Sequence, residues 1–426
     1  MSVRSDQGVG ERVTKIERGL LVILSYRPDV DGRIFITAAL VMYFLIVAVP
    51  RWLFGIDVWP SLGVPSGPSL FFDTRNLTAA LECRRLGFDP LVESPCDPWD
   101  RPLNYPRVWL GLRWLGLDQS HTVPLALLFI ALFLGSVYLL VGRIGLGRGV
   151  LVAVALCSPS VMFAIERANL DIVVFTLLVG GVLVWRTRRR WAVASPLVVF
   201  LAATGKIYPV FGLPAYLFVR RRAPAIAAMA CAAAFAVYVF VTFGDIQAVA
   251  RVAPQGDQHS FGARILPAAI YHRFVPDRWE GLFAKQLVAI APVLVAGPLI
   301  WLAGRRRRPD QDPTADSSTR LAFYLGSLTF IGTFAVGNNF DYRLVVTLLA
   351  LPQLFDWVDG EAGADRGRLA GFTLVAVLTL LWIGALSGPL RLWDEVVTWA
   401  TVGLMVALLG ASVPPFRTIW ATVRLP

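Results

Sequence analysis

The stretch TVPLALLFIALFLGSVYLLV, residues 122–141, contains no charged residue and is almost wholly apolar. About 20 apolar residues in an α-helix are long enough to cross the hydrocarbon core of a bilayer, which is roughly 30 Å thick. Lipid offers the backbone no hydrogen-bond partners, so a segment of this kind must satisfy its own polar groups. The stretch therefore predicts a transmembrane helix.

Similar apolar stretches recur along the whole chain. Of its 426 residues, 56% are hydrophobic and 16% are charged, and the mean hydropathy is +0.62. Soluble domains carry about 25% charged residues, so the composition excludes a soluble protein. The pattern predicts an all-α polytopic membrane protein with about twelve transmembrane helices. The expected spans are 34–54, 122–141, 149–165, 170–185, 191–204, 207–219, 223–243, 283–303, 321–337, 342–357, 369–387 and 395–413.

Two pairs of expected spans, those flanking Ala168 and Gly205, are short. Each pair could be one broken segment instead of two complete crossings. The residues before Arg33 are polar and charged, which indicates a first span and not a cleaved signal peptide. The expected divisions are 1–33 as a cytoplasmic N-terminal segment, 34–413 as a single transmembrane domain, 55–121 and 244–282 as outer loops, 304–320 as an inner loop and 414–426 as a cytoplasmic tail.

The distribution of basic residues sets the expected orientation. The net charge is +11, and arginine runs such as 186–190, 220–222 and 305–308 alternate with segments of little net charge. Cytoplasmic loops carry the excess of Lys and Arg in membrane proteins, so both termini are expected inside. The basic charge follows this topology and does not indicate nucleic acid as a partner. Arginine is strongly preferred over lysine, which fits a high-GC bacterial genome and a bacterial plasma membrane.

Four polar clusters fall on the expected outer side of the membrane. A charged residue at membrane depth costs about 2.5–3.5 kcal/mol on insertion scales, so it usually has a function or a partner. The inner segments carry plain arginine runs instead, and the asymmetry predicts an extracytoplasmic site. The clusters are Asp73 with Asn104 and Tyr105, the run Glu166–Asp171, the run Thr204–Pro209, and the run Asn338–Arg343.

These clusters resemble the elements of one known family. FAIERANLDIVVFTLL (163–178) resembles the E-R-G/A-N-x-D element of glycosyltransferase family 87, and ATGKIYPVFGLPAYLF (203–218) resembles its lysine-containing element. The stretch 72–109 resembles its first outer loop, although Arg107 stands where many relatives have a second proline. GNNFDYRLV (337–345) resembles a late polar element. The resemblance implies a GT-C fold, a sugar donor on a polyprenyl phosphate, and an acidic catalytic base in the first outer loop.

The chemistry of the residues suits this implied reaction. Inverting glycosyl transfer needs a carboxylate to accept the proton of the attacking hydroxyl, and the sugar becomes oxocarbenium-like. The leaving phosphate needs cations, which lysine and arginine supply in different geometries. Asp73 is therefore the expected general base, and Lys206, Arg167 and Tyr208 are expected to bind the donor phosphate. The further substrate-binding candidates are Asn169, Asp171, Asn104, Tyr105, Asn339, Asp341, Arg343 and His259.

Each assignment has a purely structural alternative. Asp73 could cap a short helix that begins at Thr74, and Arg167 could form an i,i+4 ion pair with Asp171. Lys206 could extend along the apolar surface to reach the interface. The alternatives for the rest are helix packing for Asp341 and Arg343, loop packing for Asn104 and Tyr105, and plain solvation for His259.

The sequence indicates no metal centre. It contains no cluster of His, Cys and carboxylates at ligand spacing and no Walker A motif, so no cofactor is expected, although a divalent cation near the phosphate stays open. Cys83 and Cys96 share the first outer loop, where an oxidising compartment would allow a disulfide. The alternative is two unpaired thiols packed in that loop.

The predicted function is a membrane glycosyltransferase, with mannose as the first candidate sugar and arabinofuranose as the second, both from the family resemblance. The expected acceptor is a cell-envelope glycolipid or polysaccharide. A transporter or flippase of a lipid-linked sugar is an alternative from another class, but such proteins often show inverted repeats, and no mirrored halves are visible here. An O-antigen-ligase-like enzyme with a diphosphate-linked donor is the third possibility.

Overall fold

Helices form nearly all the regular structure in the computed structural model, which describes residues 31–187, 191–219, 221–253, 259–265, 296–306, 317–360, 364–384 and 391–413. The α-helices are α1 (Gly32–Phe54), α2 (Phe72–Arg85), α3 (Thr122–Val141), α4 (Leu146–Leu156), α5 (Pro159–Arg167), α6 (Leu170–Arg186), α7 (Ser195–Gly205), α8 (Arg222–Val241), α9 (Phe243–Val252), α10 (Ser318–Val336), α11 (Leu351–Gly360), α12 (Asp365–Ile383) and α13 (Arg391–Ser412). Residues 296–305 are also helical.

Shorter elements connect these helices. The 3₁₀ helices are Pro60–Leu62, Arg107–Leu115, Gln119–His121, Ala192–Ala194, Tyr208–Leu217 and Asp341–Ala350. Two strands, β1 (Ser260–Phe261) and β2 (Asn339–Phe340), pair antiparallel. This pairing fixes part of the second long loop against the segment that follows α10.

Six helices in the described part of the chain are long and apolar enough to cross a bilayer. They are Gly32–Phe54, Gln119–Val141, Arg222–Val241, Ser318–Val336, Asp365–Ile383 and Trp393–Ser412. Helices α4 and α5, bent by 56° at their junction, make a seventh if the pair is one span. These helices agree with an all-α polytopic membrane protein, whereas the expected number of about twelve spans is not confirmed.

Several expected spans are too short to cross the membrane as one α-helix. Helix α7 has 11 residues and is therefore about 16 Å long, roughly half the thickness of the hydrocarbon core. The expected span 207–219 is a 3₁₀ helix with Pro214 inside it, and proline lacks the N–H that an α-helical turn requires. The expected span 149–165 is divided where Ser158 caps α5 and Pro159 begins it. The structure thus favours broken segments at these places.

Polar residues at the ends of several helices contact one another. Arg148 Nη1 on α4 lies 3.3 Å from Asp356 on α11, and Arg148 also pairs with Asp359. Arg186 on α6 donates to Ser318 on α10 across 2.9 Å. These contacts connect α4 with α11 and α6 with α10.

Helices α1 and α4 cross at a pair of glycines. The Gly32 N–H donates to the Ile144 carbonyl across 2.8 Å, and a Cβ added at Gly149 would lie 2.5 Å from the Gly32 carbonyl oxygen. Only glycine permits such a close backbone approach, as is common between membrane helices. The first helix is thereby fixed beside α4.

Helix α2 packs within the protein. Leu77 and Leu81 are completely buried within the protein, whereas Leu86, at the end of the helix, is 66% exposed. The helix packs on α3, on α5 and on the 3₁₀ helix Arg107–Leu115. Its apolar face therefore contacts protein, and its position next to α5 brings Asp73 to the break that follows α5.

Some sequence predictions fall outside the described residues. They concern residues 1–30 of the N-terminal segment, 188–190 and 220 of two arginine runs, 254–258 and 266–282 of the second outer loop, 283–295 of one span, 307–316 of the inner loop, 385–387 of another span, and the tail 414–426.

Candidate active site

The break between α5 and α6 places a short polar segment inside the protein. Helix α5 ends at Arg167, and Ala168 adopts a left-handed conformation with φ of 42°. Asn169 then caps α6 by accepting a hydrogen bond from the Asp171 N–H across 2.9 Å. Left-handed backbone is uncommon for alanine, and here it turns the Asn169 side chain toward α2.

Asp73 lies in the first turn of α2, where the helix dipole favours a negative charge. Its Oδ2 accepts a hydrogen bond from Asn169, and its Oδ1 lies 3.7 Å from the guanidinium of Arg167. The structural alternative, in which Asp73 caps the helix, does not hold, because the helix begins at Phe72 and its cap position is Phe71. The carboxylate therefore faces the α5–α6 break and does not cap its own helix.

Behind Asn169 lies a buried ion-pair network centred on Asp171. Lys206 Nζ lies 2.8 Å from Asp171 Oδ2 and donates to Asn169 Oδ1 across 2.8 Å. Tyr208 also donates to Asp171, and Arg343 Nε is 3.6 Å away. Lys206 is only 8% exposed, so the alternative in which it extends along the apolar surface does not hold. The i,i+4 pair of Arg167 with Asp171 is also absent among the described residues, because the left-handed Ala168 separates the two helices.

A cavity of about 450 Å³ adjoins the Asp73 carboxylate. This volume is within the usual range for small-molecule sites. Of the residues expected to bind substrate, Asp73, Asn104 and Arg167 line it. Lys206 does not line it, but donates to Asn169, which in turn donates to Asp73 in the wall. The wall is formed by Phe72, Asp73, Asn76, Arg101, Pro102, Asn104, Phe163, Arg167, Val252, Phe340 and Tyr342.

Other expected site residues support the wall without lining it. The ring of Tyr105 is buried, 5.4 Å from Lys206 Nζ. Asn339 accepts from Arg343 and donates to the Thr333 carbonyl across 2.8 Å. The oxygen and the nitrogen of the Asn339 side-chain amide are thus both hydrogen-bonded within the protein. The bond to Arg343 orients that guanidinium toward Asp171.

Asp341 and His259 lie together, apart from the large cavity. The Asp341 N–H donates to the His259 carbonyl across 2.8 Å, next to the β1–β2 pair. The His259 ring packs 6.3 Å from the ring of Phe163, and burial lowers its pKa. The structure therefore does not bring these two residues to Asp73.

Three polar residues of the cavity wall, Asn76, Arg101 and Tyr342, are not among the predicted site residues. Asn76 follows Asp73 by one helical turn, and this i,i+3 spacing could have indicated a shared face. Arg101 stacks on Phe72 at 3.5 Å and pairs with Asp97 at 2.7 Å. Tyr342 lies in the polar run Asn338–Arg343, to which the sequence pointed without assigning a role to this tyrosine.

Arg107 joins the first outer loop to α9. Its guanidinium forms paired hydrogen bonds with Asp89, both 3.0 Å, and with Asp245, both 2.9 Å. The hydrogen bonds from Arg107 hold the pKa of Asp89 below its ordinary value, and the two carboxylates raise the pKa of Arg107. Helix α9 carries Val252, which lines the cavity, so this bridge holds one side of the wall in place.

The first outer loop is also cross-linked to the end of α2. Cys83 and Cys96 form a disulfide in the structure, with Cα atoms 5.6 Å apart. This separation lies within the range that a disulfide requires. Cys157 and Cys231 are free thiols.

Metal binding has no evident site in the described part of the chain, where no three His, Cys, Asp or Glu side chains are grouped to hold an ion. The cations next to the cavity are Arg167 and, behind it, Lys206. The arrangement combines a carboxylate that can accept a proton with positive groups that can stabilise an anionic leaving group.

Comparison with known proteins identifies the family. The model of glycosyltransferase family 87 matches residues 112–332, more than half of the chain. Searches of curated proteins and of solved structures gave no match. The matched range contains the α5–α6 break and Lys206, whereas Asp73 and Arg343 lie outside it. The chain therefore belongs to glycosyltransferase family 87 and is a membrane glycosyltransferase.

Proposed function

We propose that this protein transfers a sugar from a polyprenyl-phosphate donor to a glycolipid or polysaccharide acceptor on the outer face of a bacterial plasma membrane. Mannose is the first candidate for the sugar and arabinofuranose the second, following the family resemblance. The observation that carries the proposal is the Asp73 carboxylate, which lines a cavity and lies 3.7 Å from Arg167. A carboxylate that can act as a base and a cation therefore line the same cavity.

Asp73 acts as the general base in this proposal. The acceptor hydroxyl oxygen attacks the anomeric carbon, and its proton passes to Asp73. The bond from the anomeric carbon to the phosphate oxygen breaks, and its electron pair leaves with the phosphate. A single displacement of this kind inverts the anomeric configuration, through an oxocarbenium-like transition state.

Arg167 and Lys206 bind the donor phosphate in this proposal. Arg167 lines the cavity and can present two parallel N–H groups to phosphate oxygens. Lys206 has three N–H groups. Two of them point at Asn169 and Asp171, and the third can donate to the phosphate. Tyr208 then holds Asp171, and the two cations stabilise the negative charge of the departing phosphate.

The test is transfer by the purified protein in detergent or lipid nanodiscs. The assay supplies a panel of polyprenyl-phosphate sugars with a cell-envelope extract and scores sugar transferred to extractable acceptors. We expect one donor of the panel to be used. Use of a diphosphate-linked donor alone would favour the ligase-like alternative, and movement of the intact donor across the membrane without transfer would favour a flippase.

Asp73→Asn is the decisive variant within this assay. The amide keeps the shape of the side chain but cannot take the proton, so we expect turnover to fall by about 10²–10⁴-fold. Asp100→Asn is the matched control, because Asp100 is exposed in the same loop and has φ of 52°, a conformation that asparagine also adopts. Near wild-type turnover by Asp73→Asn would contradict the assignment of the base.

A further inference from the structure

We propose that Asn76 binds a hydroxyl group of the acceptor and thereby selects a neutral sugar residue, not a peptide or a phosphorylated group, as the acceptor; this inference rests on the proposed function. Asn76 would be a specificity-determining residue next to the catalytic base.

The position of Asn76 matches that of Asp73. The two residues are three apart on α2, so their side chains project from the same face of the helix. Both line the cavity. A ring that presents one hydroxyl to Asp73 can therefore present a neighbouring hydroxyl to Asn76.

The hydrogen bonds of Asn76 leave its carbonyl oxygen available. Its Nδ2 points at the carbonyl oxygens of Arg101, at 3.2 Å, and Pro102, at 3.4 Å. These acceptors fix the orientation of the amide, because the flipped form would bring two oxygens together. Asn76 is 3% exposed, and its Oδ1 has no hydrogen-bond partner among the described residues. A buried acceptor without a partner is unfavourable, and a substrate hydroxyl would satisfy it.

A second asparagine of the wall has the same property. The Oδ1 of Asn104 is also buried without a hydrogen-bond partner in the described part of the chain, and Asn104 lines the same cavity. Two amide oxygens are acceptors only, so they are suited to hydroxyl groups that donate. They would repel the oxygens of a phosphate or a carboxylate.

The remaining wall is also suited to a neutral ring. Phe72, Phe163 and Tyr342 contribute aromatic surface, which packs against the apolar faces of sugar rings. The positive charge of Arg101 is balanced by Asp97 at 2.7 Å. This end of the cavity therefore offers hydrogen-bond acceptors and apolar surface, with its local cation already paired.

The experiment measures transfer to defined acceptors, with the donor that the wild-type protein uses. The acceptors are octyl glycosides of mannose, glucose and galactose, the monodeoxy analogues of the best of them, octyl phosphate and a threonine peptide. The variants are Asn76→Ala and Asn104→Ala. Thr78→Val is the control. Thr78 lies on α2, like Asn76, but its hydroxyl is hydrogen-bonded to Thr122 of α3 across 2.7 Å and it does not line the cavity.

We expect the acceptor KM to rise about two- to tenfold in Asn76→Ala, the loss of one neutral hydrogen bond, while the donor KM stays within twofold. One monodeoxy analogue should be discriminated against by the wild type and not by Asn76→Ala. Asn104→Ala should behave similarly toward a hydroxyl and tests the same subsite if Asn76→Ala fails to fold. Thr78→Val should leave both KM values unchanged.

The other outcomes separate the two proposals. If the protein glycosylates an octyl glycoside and neither variant changes the acceptor KM or the discrimination, the subsite is wrong and the function stands. If only the peptide or the phosphate is glycosylated, the neutral-sugar inference is overturned while transfer is retained. If the wild type uses no donor in any arm, the proposed function fails and the subsite with it.

Discussion

Lys206 has a structural role and a proposed binding role, and a single substitution would change both at once. It neutralises the buried Asp171 at 2.8 Å, and it is proposed to bind the donor phosphate. Removal of one partner of a buried ion pair typically costs about 3–5 kcal/mol, because the other charge stays buried. We therefore expect Lys206→Ala to lower both thermal stability and donor use, and Lys206→Arg to recover donor use only in part, since the two cations differ in shape.

A double variant separates the two roles. Lys206→Met combined with Asp171→Asn removes both charges of this pair, so part of the lost stability should return, as measured by the melting temperature in detergent. The recovery should be partial, because Arg343, 3.6 Å from Asp171, loses its carboxylate partner. Turnover should remain low, because the phosphate still lacks its cation. Full activity in the stabilised double variant would show that Lys206 serves only to hold Asp171.

At the scale of elements, the Cys83–Cys96 disulfide closes a short loop at the end of α2. The cysteines are 13 residues apart, and a loop of about 15 residues gains roughly 3 kcal/mol from such a bond in the chain-entropy model. We expect reductant to lower the melting temperature of the wild type but not that of Cys83→Ser with Cys96→Ser.

Mass spectrometry of unreduced peptides checks the bond directly. Cys231→Ser is the matched control, because Cys231 is a free thiol and its loss should leave the reductant effect intact. Labelling of Cys83 or Cys96 by maleimide in the folded, unreduced protein would contradict the pairing.

The Arg107 bridge is expected to hold α9 against the first outer loop. Arg107→Ala should destabilise the protein by only about 1 kcal/mol, since its partners are partly exposed, but should reduce turnover because Val252 on α9 lines the cavity. Arg107→Lys should not rescue, because an ammonium cannot make two forked pairs. Arg113→Ala, exposed on the same 3₁₀ helix, is the control, and equal turnover of the Arg107 and Arg113 variants would refute the expected link.

The pH dependence of this bridge has a definite sign. The pKa of Asp89 is lowered by Arg107, so its contribution to stability is complete above the ordinary aspartate pKa of about 3.9 and is lost as the pH falls through the lower value of the folded state. The difference in melting temperature between wild type and Arg107→Ala should therefore be constant from about pH 5 to 8. A difference that disappears near neutral pH would contradict the bridge.

The sequence predicted which segments carry the polar residues of the site better than it predicted which of those residues contact one another. Hydropathy located the segments, and their short length indicated breaks at Ala168 and Gly205. The spacing along the chain suggested that Arg167 pairs with Asp171, but a single left-handed residue turned the two apart. The contacts of Asn76 with the loop at Arg101 depend on how that loop folds back, which local pattern does not specify.

At the scale of the molecule, the class and the family were predictable because composition and a few polar motifs are sufficient for them. The number of complete crossings was not, because 3₁₀ segments and bent pairs have the same hydropathy as intact spans. Asp341 and His259 were expected to bind substrate, yet the fold places them in a separate contact, with Asp341 buried and His259 half-buried. Two residues at the same end of a helix bundle need not belong to the same site, whereas two residues that line one cavity can contact the same ligand.

The expected topology can be tested in intact cells. In a background without Cys157 and Cys231, a cysteine at the exposed position Glu93 should react with an impermeant maleimide added outside, and one at the exposed Arg306 should not. This follows from the arginine-rich segments being held inside. Reaction at Arg306 from outside would overturn the orientation and the proposed outer site.

The pairing of β1 with β2 has a consequence for the timing of biosynthesis. Residues near position 260 can be held in place only after residues near position 340 have been synthesised and inserted. Arg343, which reaches Asp171, arrives equally late. Ribosomes add about 5–20 residues per second, so a nascent chain that already displays Asp73 must wait on the order of tens of seconds before its site is complete. A polypeptide truncated before this point should therefore be inserted in the membrane yet remain inactive toward the pool of lipid-linked sugar.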